Sequence, residues 1–302
     1  VNVAAVVVTH NRPQLLAEAL RALSTQTYAL QSIVVVDNAS GPATPQVLQG
    51  FDHVDVLRLD ENLGGAGGFA AGVDRAMQHD PDWILLLDDD AIAAPDLVAQ
   101  LMAALPELRA QRVGALCTAV VEFGQLALMH RRFFDPKTLR EPPVASESYA
   151  KPLVKVDTGS FVGFLVNAES VREVGVPNAS FFLAYDDTEY SLRLGKAGWS
   201  IWLVPKASVT HLRGAKGRLR DGPYGLKHYY NLRNQLAVFR HYGSAPGWRL
   251  WRPILSHGLV AAKDLRFASL CTWGKALRDS RRVRITSAQD VSGSRRPTAR
   301  CK

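Results

Sequence analysis

Apolar and polar positions alternate in blocks along the first hundred residues. Residues 3–8 (VAAVVV) form an unbroken apolar run, the pattern of a strand buried on both faces. After it, Asn11 offers a helix N-cap, Pro13 suits a first helical turn, and Leu16, Ala19, Leu20 and Leu23 recur at helical spacing. A second apolar run, residues 33–36, stops at Asp37, and residues 54–59 predict a third strand. The glycine-rich residues 64–68 open a helix to about Met77, a fourth run at residues 83–87 stops at Asp88, and Pro95 begins another helix. This alternation predicts an α/β fold, a mostly parallel sheet flanked by helices and joined by right-handed crossovers. Ligands of such sheets bind beyond the carboxyl ends of the strands, and Asn11, Asp37, Asn62 and Asp88 all fall there.

The pattern changes further along. Residues 130–156 are rich in proline and charge and predict a long loop or weak strands. Residues 161–167 predict a strand, residues 186–196 a helix, residues 200–204 a short strand, and residues 207–210 a second β-prone stretch before His211. From Tyr224 onward the pattern is helical, over residues 224–242 and 248–273, with many aromatics and arginines. The last twenty residues are polar and predict a disordered tail. The expected organisation is a catalytic domain over residues 1–215, a basic amphipathic helical region over 216–282 and a tail over 283–302.

Charge sharpens that division. The net charge of +8 conceals a basic third: residues 206–302 carry 21 Lys/Arg against 4 Asp/Glu, whereas residues 1–205 have a net charge of −9. The basic third favours an anionic surface or ligand. A nucleic-acid-binding protein would also be basic, but here the charges are confined to one third and mixed with Trp and Leu, which argues against that class. No apolar run reaches the roughly 20 residues that span a bilayer, and no signal-peptide pattern is visible. Cys117, Cys271 and Cys301 lack metal-site spacing and are expected to be free thiols in a reducing cytoplasm.

The stretch WILLLDDDAI, residues 83–92, runs from apolar residues straight into Asp88, Asp89 and Asp90. Like charges this close repel, and burying them without partners is costly. A divalent cation resolves the repulsion, since Mg²⁺ or Mn²⁺ takes one or two carboxylates together with diphosphate oxygens. A second acidic cluster, AYDDTEY, puts Asp186, Asp187 and Glu189 at a helix start, where they either complement the helix dipole or supply a general base. His211 ends a β-prone segment, as a structural residue or a cation ligand. GAGGFA, residues 65–70, fits G-x-G-x-x-A with Asp88 downstream, which raises a nicotinamide-dinucleotide-dependent oxidoreductase as a rival class. Two features oppose it: the turn follows the third strand rather than the first, and the downstream acid is a triplet. The plainer alternative is that these glycines let a helix approach the sheet.

Six motifs then appear in one order: VVVTHNRP (6–13), VVVDNAS (34–40), NLGGAGGF (62–69), LLLDDDA (85–91), YDDTEY (185–190) and VTH (209–211). Together they resemble a family 2 glycosyltransferase with the GT-A, Rossmann-like fold, over about residues 1–215. NLGGAGGF with a triple aspartate looks most like the actinobacterial cell-wall galactofuranosyltransferases. The chain length is similar to the shorter type, which initiates galactan by moving galactofuranose from UDP-galactofuranose to a polyprenyl-diphosphate-linked rhamnosyl-GlcNAc. Rhamnosyltransferases of the same pathway, which use dTDP-rhamnose, share the T-x-N-R, VVDNAS and NLG turns and form the second reading.

The resemblance implies roles. Asp37 would hydrogen-bond uridine, with Thr9, Asn11 and Arg12 around the nucleotide. Asn62, Gly64 and Gly65 would line the donor pocket. Asp88 and Asp90, with His211, would hold Mn²⁺ or Mg²⁺, and Asp89 would lie beside the donor sugar. Asp187 would be the general base of an inverting displacement. Lys216, Arg218 and Arg220 would close over the diphosphate as a lid or form a solvated basic loop. His10 departs from the more usual Tyr of a TYNR turn. A lipid-linked acceptor implies work at the inner face of the plasma membrane. Trp248, Trp251, Leu255 and Leu259, with Arg249, Arg252, Lys263 and Arg266, fit either an interfacial helix or a core helix with a basic face.

Overall fold

The structure, a computed structural model, describes residues 1–212, 214 and 223–285. The chain begins β1 (Val3–Thr9), α1 (Pro13–Ser24), β2 (Ser32–Asp37), α2 (Ala43–Leu48), β3 (Val54–Arg58), α3 (Gly64–Met77) and β4 (Trp83–Asp88). It continues through β5 (Ala91–Ala93), α4 (Leu97–Ala104), β6 (Val113–Glu122) and the short β7 (Gln125–Leu126), β8 (Arg131–Arg132), β9 (Val154–Val156) and β10 (Thr158–Gly159). Then come β11 (Phe164–Asn167), α5 (Ala168–Val174), α6 (Asp186–Lys196) and β12 (Ser200–His211), followed by α7 (Leu226–Tyr242), α8 (Trp251–Lys263) and α9 (Phe267–Asp279).

The main sheet runs β3-β2-β1-β4-β11-β6-β12-β5. Its first four strands are parallel, β11 runs antiparallel between β4 and β6, β6 and β12 are parallel, and β5 closes the edge antiparallel to β12. The continuous apolar run of β1 has a direct cause. Val3, Ala5 and Val7 face a core shared with Leu16, Leu20 and Leu23 of α1 and Leu97 and Leu101 of α4. Ala4, Val6 and Val8 face the opposite core, with Phe69 and Val73 of α3. Each Val, Leu or Phe among them, fully buried, contributes about 1.5–3 kcal/mol.

Several expectations change. Asn11 does not cap α1: its φ is +57°, Arg12 occupies the cap position, and the Asn11 carboxamide oxygen instead accepts from Gly41 N at 2.7 Å. The helix after Pro95 starts at Leu97. Residues 113–122, left unassigned by the pattern, form a central strand. Residues 200–204 and 207–210 join into one strand, β12, interrupted by a bulge between Val204 and Ser208. Pro205, which has no N–H to give the ladder, sits in that bulge. The single helix expected over 248–273 is two, parted where Leu265 takes φ +53°.

The C-terminal helices lean on the sheet domain through α7. Val238 and Phe239 pack with Phe181 and Ala66, and Val283 and Ile285, at the start of the expected tail, join the same cluster. Leu232 and Leu236 of α7 pack with Ala276 of α9. Residues 286–302 of the tail lie outside the described residues, as does Cys301; Cys117 is a buried free thiol and Cys271 an exposed one. Among the described residues, no helix is long and apolar enough to cross a membrane.

The glycines of α3 serve close approach. A Cβ on Gly68 would sit 2.4 Å from Val8 Cγ1, and one on Gly72 would sit 2.4 Å from Val6 Cγ1 and 2.9 Å from Val36 Cγ2. By contrast, a Cβ on Gly274, in α9, would meet nothing within 4 Å. Overpacking costs about 1–3 kcal/mol and a helical Gly→Ala change returns about 1 kcal/mol. Gly72→Ala should therefore lower stability in chemical denaturation, whereas Gly274→Ala should raise it by about 0.5–1 kcal/mol. Equal stabilisation by both would show that α3 does not need its glycines.

Candidate functional site

The carboxyl ends of β1, β2 and β4 and the start of α3 meet along one edge of the sheet. At the centre lies the aspartate triplet. Asp89 and Asp90 are buried, at 4% and 5% exposure. Thr9 Oγ1 donates to Asp89 Oδ2 at 2.7 Å, and Arg12 Nη1 reaches Asp89 Oδ1 at 3.2 Å and Asp90 Oδ2 at 2.7 Å. Two of the residues expected around a nucleotide thus support two of the three aspartates, Arg12 by charge and Thr9 by a hydrogen bond. The Asn11 turn, with its positive φ, carries Arg12 to that place.

The adjoining rim is held from below. Asp37 is 1% exposed; its Oδ1 accepts from Ser40 N at 2.9 Å and its Oδ2 from Arg58 Nη1 at 2.6 Å. Both oxygens already accept within the protein, so a nucleotide contact would have to share one of them. The Asn38 carboxamide accepts from Leu63 N and donates to Gly64 O, while Asn62 Oδ1 accepts from Gly64 N at 2.8 Å. These bonds fix the turn at which Gly64 takes φ +71°. A Cβ on Gly64 would collide with Phe182 O at 2.0 Å, whereas Gly65 faces open space.

His211 completes the cluster from the far side of the sheet. The register of β12 against β5 pairs His211 with Ala91, next to Asp90. His211 Nε2 lies 3.2 Å from Asp90 Oδ1, and its Nδ1 lies 2.9 Å from Glu122 Oε1. Glu122 Oε1 also meets His130 Nε2 at 3.1 Å. One atom of each of Asp88, Asp90 and His211 falls within a 4.8 Å group. Burial pushes Asp88 up to about 7, with repulsion from Asp90 adding to it and His211 opposing. Burial also works against charge on Asp90 and on His211, but their mutual attraction holds Asp90 below and His211 above their ordinary values. Asp90 Oδ1 is buried, and among the described residues it makes no hydrogen bond beyond its 3.2 Å approach to His211 Nε2. When His211 is neutral and Nδ1 donates to Glu122, Nε2 and Asp90 Oδ1 turn lone pairs toward one space. Oxygen and imidazole donors around an orphaned carboxylate oxygen suit Mn²⁺ or Mg²⁺.

The second acidic cluster faces this one. Burial holds the Asp186 carboxyl well above the usual range, with repulsion from Asp187 and, further off, Asp88 adding to it. Asp187 is half-buried on the first turn of α6, and its Oδ1 accepts from Thr188 Oγ1 at 3.1 Å. Arg132 Nη2 donates to that hydroxyl at 2.7 Å, and Arg132 Nη1 and Tyr185 OH both donate to Glu141. The turn leading into α6 is strained: Phe182, Ala184 and Tyr185, none of them glycine, have φ of +62°, +65° and +65°. Such residues cost about 1–3 kcal/mol each. Fully buried Asn234 of α7 holds the turn, its carboxamide nitrogen lying 3.0, 2.9 and 2.8 Å from the carbonyls of Phe181, Leu183 and Ala184.

The structure thus brings together Thr9, Arg12, Asp88, Asp89, Asp90 and His211, places Asn11, Asp37, Asn62, Gly64 and Gly65 on the adjoining rim, and sets Asp187 opposite. Lys216, Arg218 and Arg220 lie outside the described residues. Glu122, His130, Arg132, Glu141 and Asn234 were not singled out from sequence. Of these only Glu122 had a signal, because it ends a long apolar run as Asp88 does.

Comparison with known proteins accords with this geometry. The model of glycosyl transferase family 2 matches residues 4–172. The galactofuranosyltransferase GlfT1 of Mycolicibacterium smegmatis is 30% identical over 300 residues, covering 94% of this chain and 97% of its own. The N-acetylglucosaminyl-diphospho-decaprenol L-rhamnosyltransferase of Mycobacterium tuberculosis is 26% identical over 310 residues, covering 93% and 95%. Among solved structures, GalNAc-T7 with UDP, GalNAc and Mn²⁺ shares the fold, with a TM-score of 0.63 at 15% identity over 97% of this chain and 56% of that one. With its mostly parallel sheet, GT-A fold and family match, the chain belongs to glycosyl transferase family 2 and is a glycosyltransferase.

Proposed function

We propose that this glycosyltransferase moves galactofuranose from UDP-galactofuranose to a polyprenyl-diphosphate-linked rhamnosyl-GlcNAc, with inversion, in the initiation of cell-wall galactan. The observation that carries this reading is the similarity to galactofuranosyltransferase GlfT1 along nearly the full length of both chains. The rhamnosyltransferase relative supports a diphospholipid acceptor by its name, and it keeps transfer from dTDP-rhamnose as the second reading. Incubation with UDP-galactofuranose or dTDP-rhamnose and a synthetic lipid-linked disaccharide, followed by mass spectrometry, separates the two. A product gaining only rhamnose overturns the first.

Asp88, Asp90 and His211 would hold Mn²⁺ or Mg²⁺, which when bound stabilises the charge that develops on a departing diphosphate. The GalNAc-T7 neighbour, which holds UDP and Mn²⁺, supports that assignment. Asn62, Gly64 and Gly65 would line the donor pocket; Asn11, with Asp37 acting through Ser40 and Arg58, would shape its rim. Thr9 and Arg12 hold Asp89 beside the donor sugar. Asp187 takes the proton of the acceptor hydroxyl as that oxygen attacks the anomeric carbon. One displacement inverts configuration, so a UDP-α-sugar yields a β-linkage. Lys216, Arg218 and Arg220 remain the proposed lid.

The acceptor has a route. A cavity of about 910 Å³ is lined by Glu141, Asn231 and Gln235 and by Trp251, Leu255 and Leu259 of α8. Its polar end touches the base helix through the bond between Glu141 and Tyr185, at 2.7 Å. Leu259 in its lining is 63% exposed, and elsewhere on the C-terminal helices and their connections Trp248, Leu265 and Phe267 are 62%, 92% and 81% exposed. Arg249, Arg252, Lys263 and Arg266 share these helices and their connection. This supports peripheral attachment at the inner face of the plasma membrane, where each Lys or Arg near an anionic leaflet adds about 1 kcal/mol.

Asp187→Asn keeps the shape of the base but not its basicity, so turnover should fall by about 10²-fold or more while UDP affinity holds. Near-normal turnover would end that assignment. Chelation by EDTA should abolish transfer, added Mn²⁺ or Mg²⁺ should restore it, and His211→Ala should weaken metal-dependent UDP binding; full activity in excess chelator would refute the metal site. At the membrane, sedimentation with anionic liposomes should weaken as salt rises. Leu259→Glu with Phe267→Glu should reduce it further and slow transfer to a lipid-linked acceptor more than to a short soluble one. A wild-type protein that ignores anionic liposomes at low salt would refute attachment.

A further inference from the structure

The residues behind His211 have no place in the chemistry above, yet they form one connected chain of hydrogen bonds. Glu122 Oε1 accepts from His211 Nδ1 at 2.9 Å and from His130 Nε2 at 3.1 Å, because a carboxylate can only accept. His130 Nδ1 must then accept, and Ser160 Oγ donates to it at 2.7 Å. The Ser160 oxygen itself accepts from Arg131 Nη1 at 3.2 Å. These bonds fix the tautomer of His130. At His211 both ring nitrogens face carboxylates, Nδ1 facing Glu122 at 2.9 Å and Nε2 facing Asp90 at 3.2 Å, so a cation that takes the Nε2 lone pair leaves the remaining proton on Nδ1, shared with Glu122. The side chains of His130, Glu122 and His211 are only 14%, 13% and 12% exposed, and the two rings meet edge to face with centroids 5.6 Å apart, which restricts ring rotation.

We propose that Glu122, itself held by His130, is a positioning residue that keeps His211 in the Nδ1–H tautomer and aims Nε2 at the divalent cation shared with Asp88 and Asp90. The inference rests on the metal site of the proposed function. Carboxylates that hold a ligating histidine in this way change metal affinity by about 10–100-fold when removed. One atom each of Glu122, His130 and His211 also lies within 4.8 Å of the others, which would allow a second cation there. That cation would have to displace the protons that both histidines give to Glu122, whereas the hydrogen-bonded arrangement satisfies every one of these groups. Positioning is therefore the role that the geometry favours.

The test measures Mn²⁺ affinity by electron paramagnetic resonance in the presence of UDP, for the wild type, His211→Ala, Glu122→Leu and Glu122→Gln, each checked for native circular dichroism. Glu122→Leu should weaken Mn²⁺ by about 10–100-fold. Glu122→Gln should stay close to wild type, because its carbonyl oxygen can accept both ring N–H groups. If His211→Ala loses Mn²⁺ and Glu122→Leu does not, the positioning role is wrong and the metal site stands; if His211→Ala binds as wild type, the metal site itself is wrong. A Gln variant as weak as the Leu variant would assign the effect to charge rather than orientation and overturn the proposal. A readout on the wild type alone guards against misfolded variants: nitrogen NMR of histidine-labelled protein with Mg²⁺ and UDP should show His211 protonated at Nδ1. Protonation at Nε2 instead would overturn the tautomer assignment.

Discussion

Three carboxylates stand at the end of a strand buried along nearly its whole length, and the rest of the site is arranged around that fact. Two like charges about 4 Å apart cost about 4 kcal/mol at the effective dielectric of a protein surface, and more inside. The fold divides the burden. Arg12 and Thr9 take Asp89, Arg12 also takes one oxygen of Asp90, and His211 meets the other. Among the described residues Asp88 has no such hydrogen-bonded partner, and burial pushes it up to about 7. Features far apart in sequence follow from this need. The left-handed Asn11 turn delivers Arg12, and β12 must be long enough, bulge included, for its last residue to reach β5 beside Asp90.

The opposite wall obeys a different constraint. On the proposed reading Asp187 is a base that must stay accessible while its neighbour Asp186 is buried, and the chain enters α6 through backbone angles that side chains disfavour. The strain persists because Asn234 and Arg233 of α7 bind the carbonyls of residues 180, 181, 183 and 184. The C-terminal helices therefore do more than carry positive charge. The change of composition near residue 206 marks a change of surface, while the packing of α7 on Phe181 makes the base turn depend on residues beyond it.

What could be read from sequence follows the same physics. Strands β1, β2 and β4 were legible because burial on both faces writes unbroken apolar runs, and the aspartates that end β2 and β4 were legible because charge after such a run is costly. The run in β6 is as apolar, yet it carries no neighbouring motif and was passed over, and Glu122 with it. Pro205 disguised β12 as two pieces. At Gly68 the plainer alternative for the glycine run holds, a helix brought close to the sheet, since a bare backbone has few other uses in a helix. Asn234 and His130 left no trace, because a single polar residue in a helix or loop shows its partners only once distant carbonyls or strand registers are brought together.

On the reading proposed here, the two substrates come from different phases. A nucleotide sugar arrives from water at the strand ends; a lipid diphosphate arrives along α8. They can meet only where both routes touch, and that is the first turn of α6. Asp186 feels the charge of Asp88 on one side, while Tyr185 bonds to Glu141, at the inner end of the lipid-side cavity, on the other. The run of strained residues at Phe182, Ala184 and Tyr185 is then understandable. A relaxed turn could be built more cheaply, but it would not have to hold Asp186 buried, Asp187 accessible and Tyr185 on Glu141 at once. The hydrogen bonds from α7 select the one conformation that does all three, which places the C-terminal helices within the catalytic architecture as well as at the proposed membrane face.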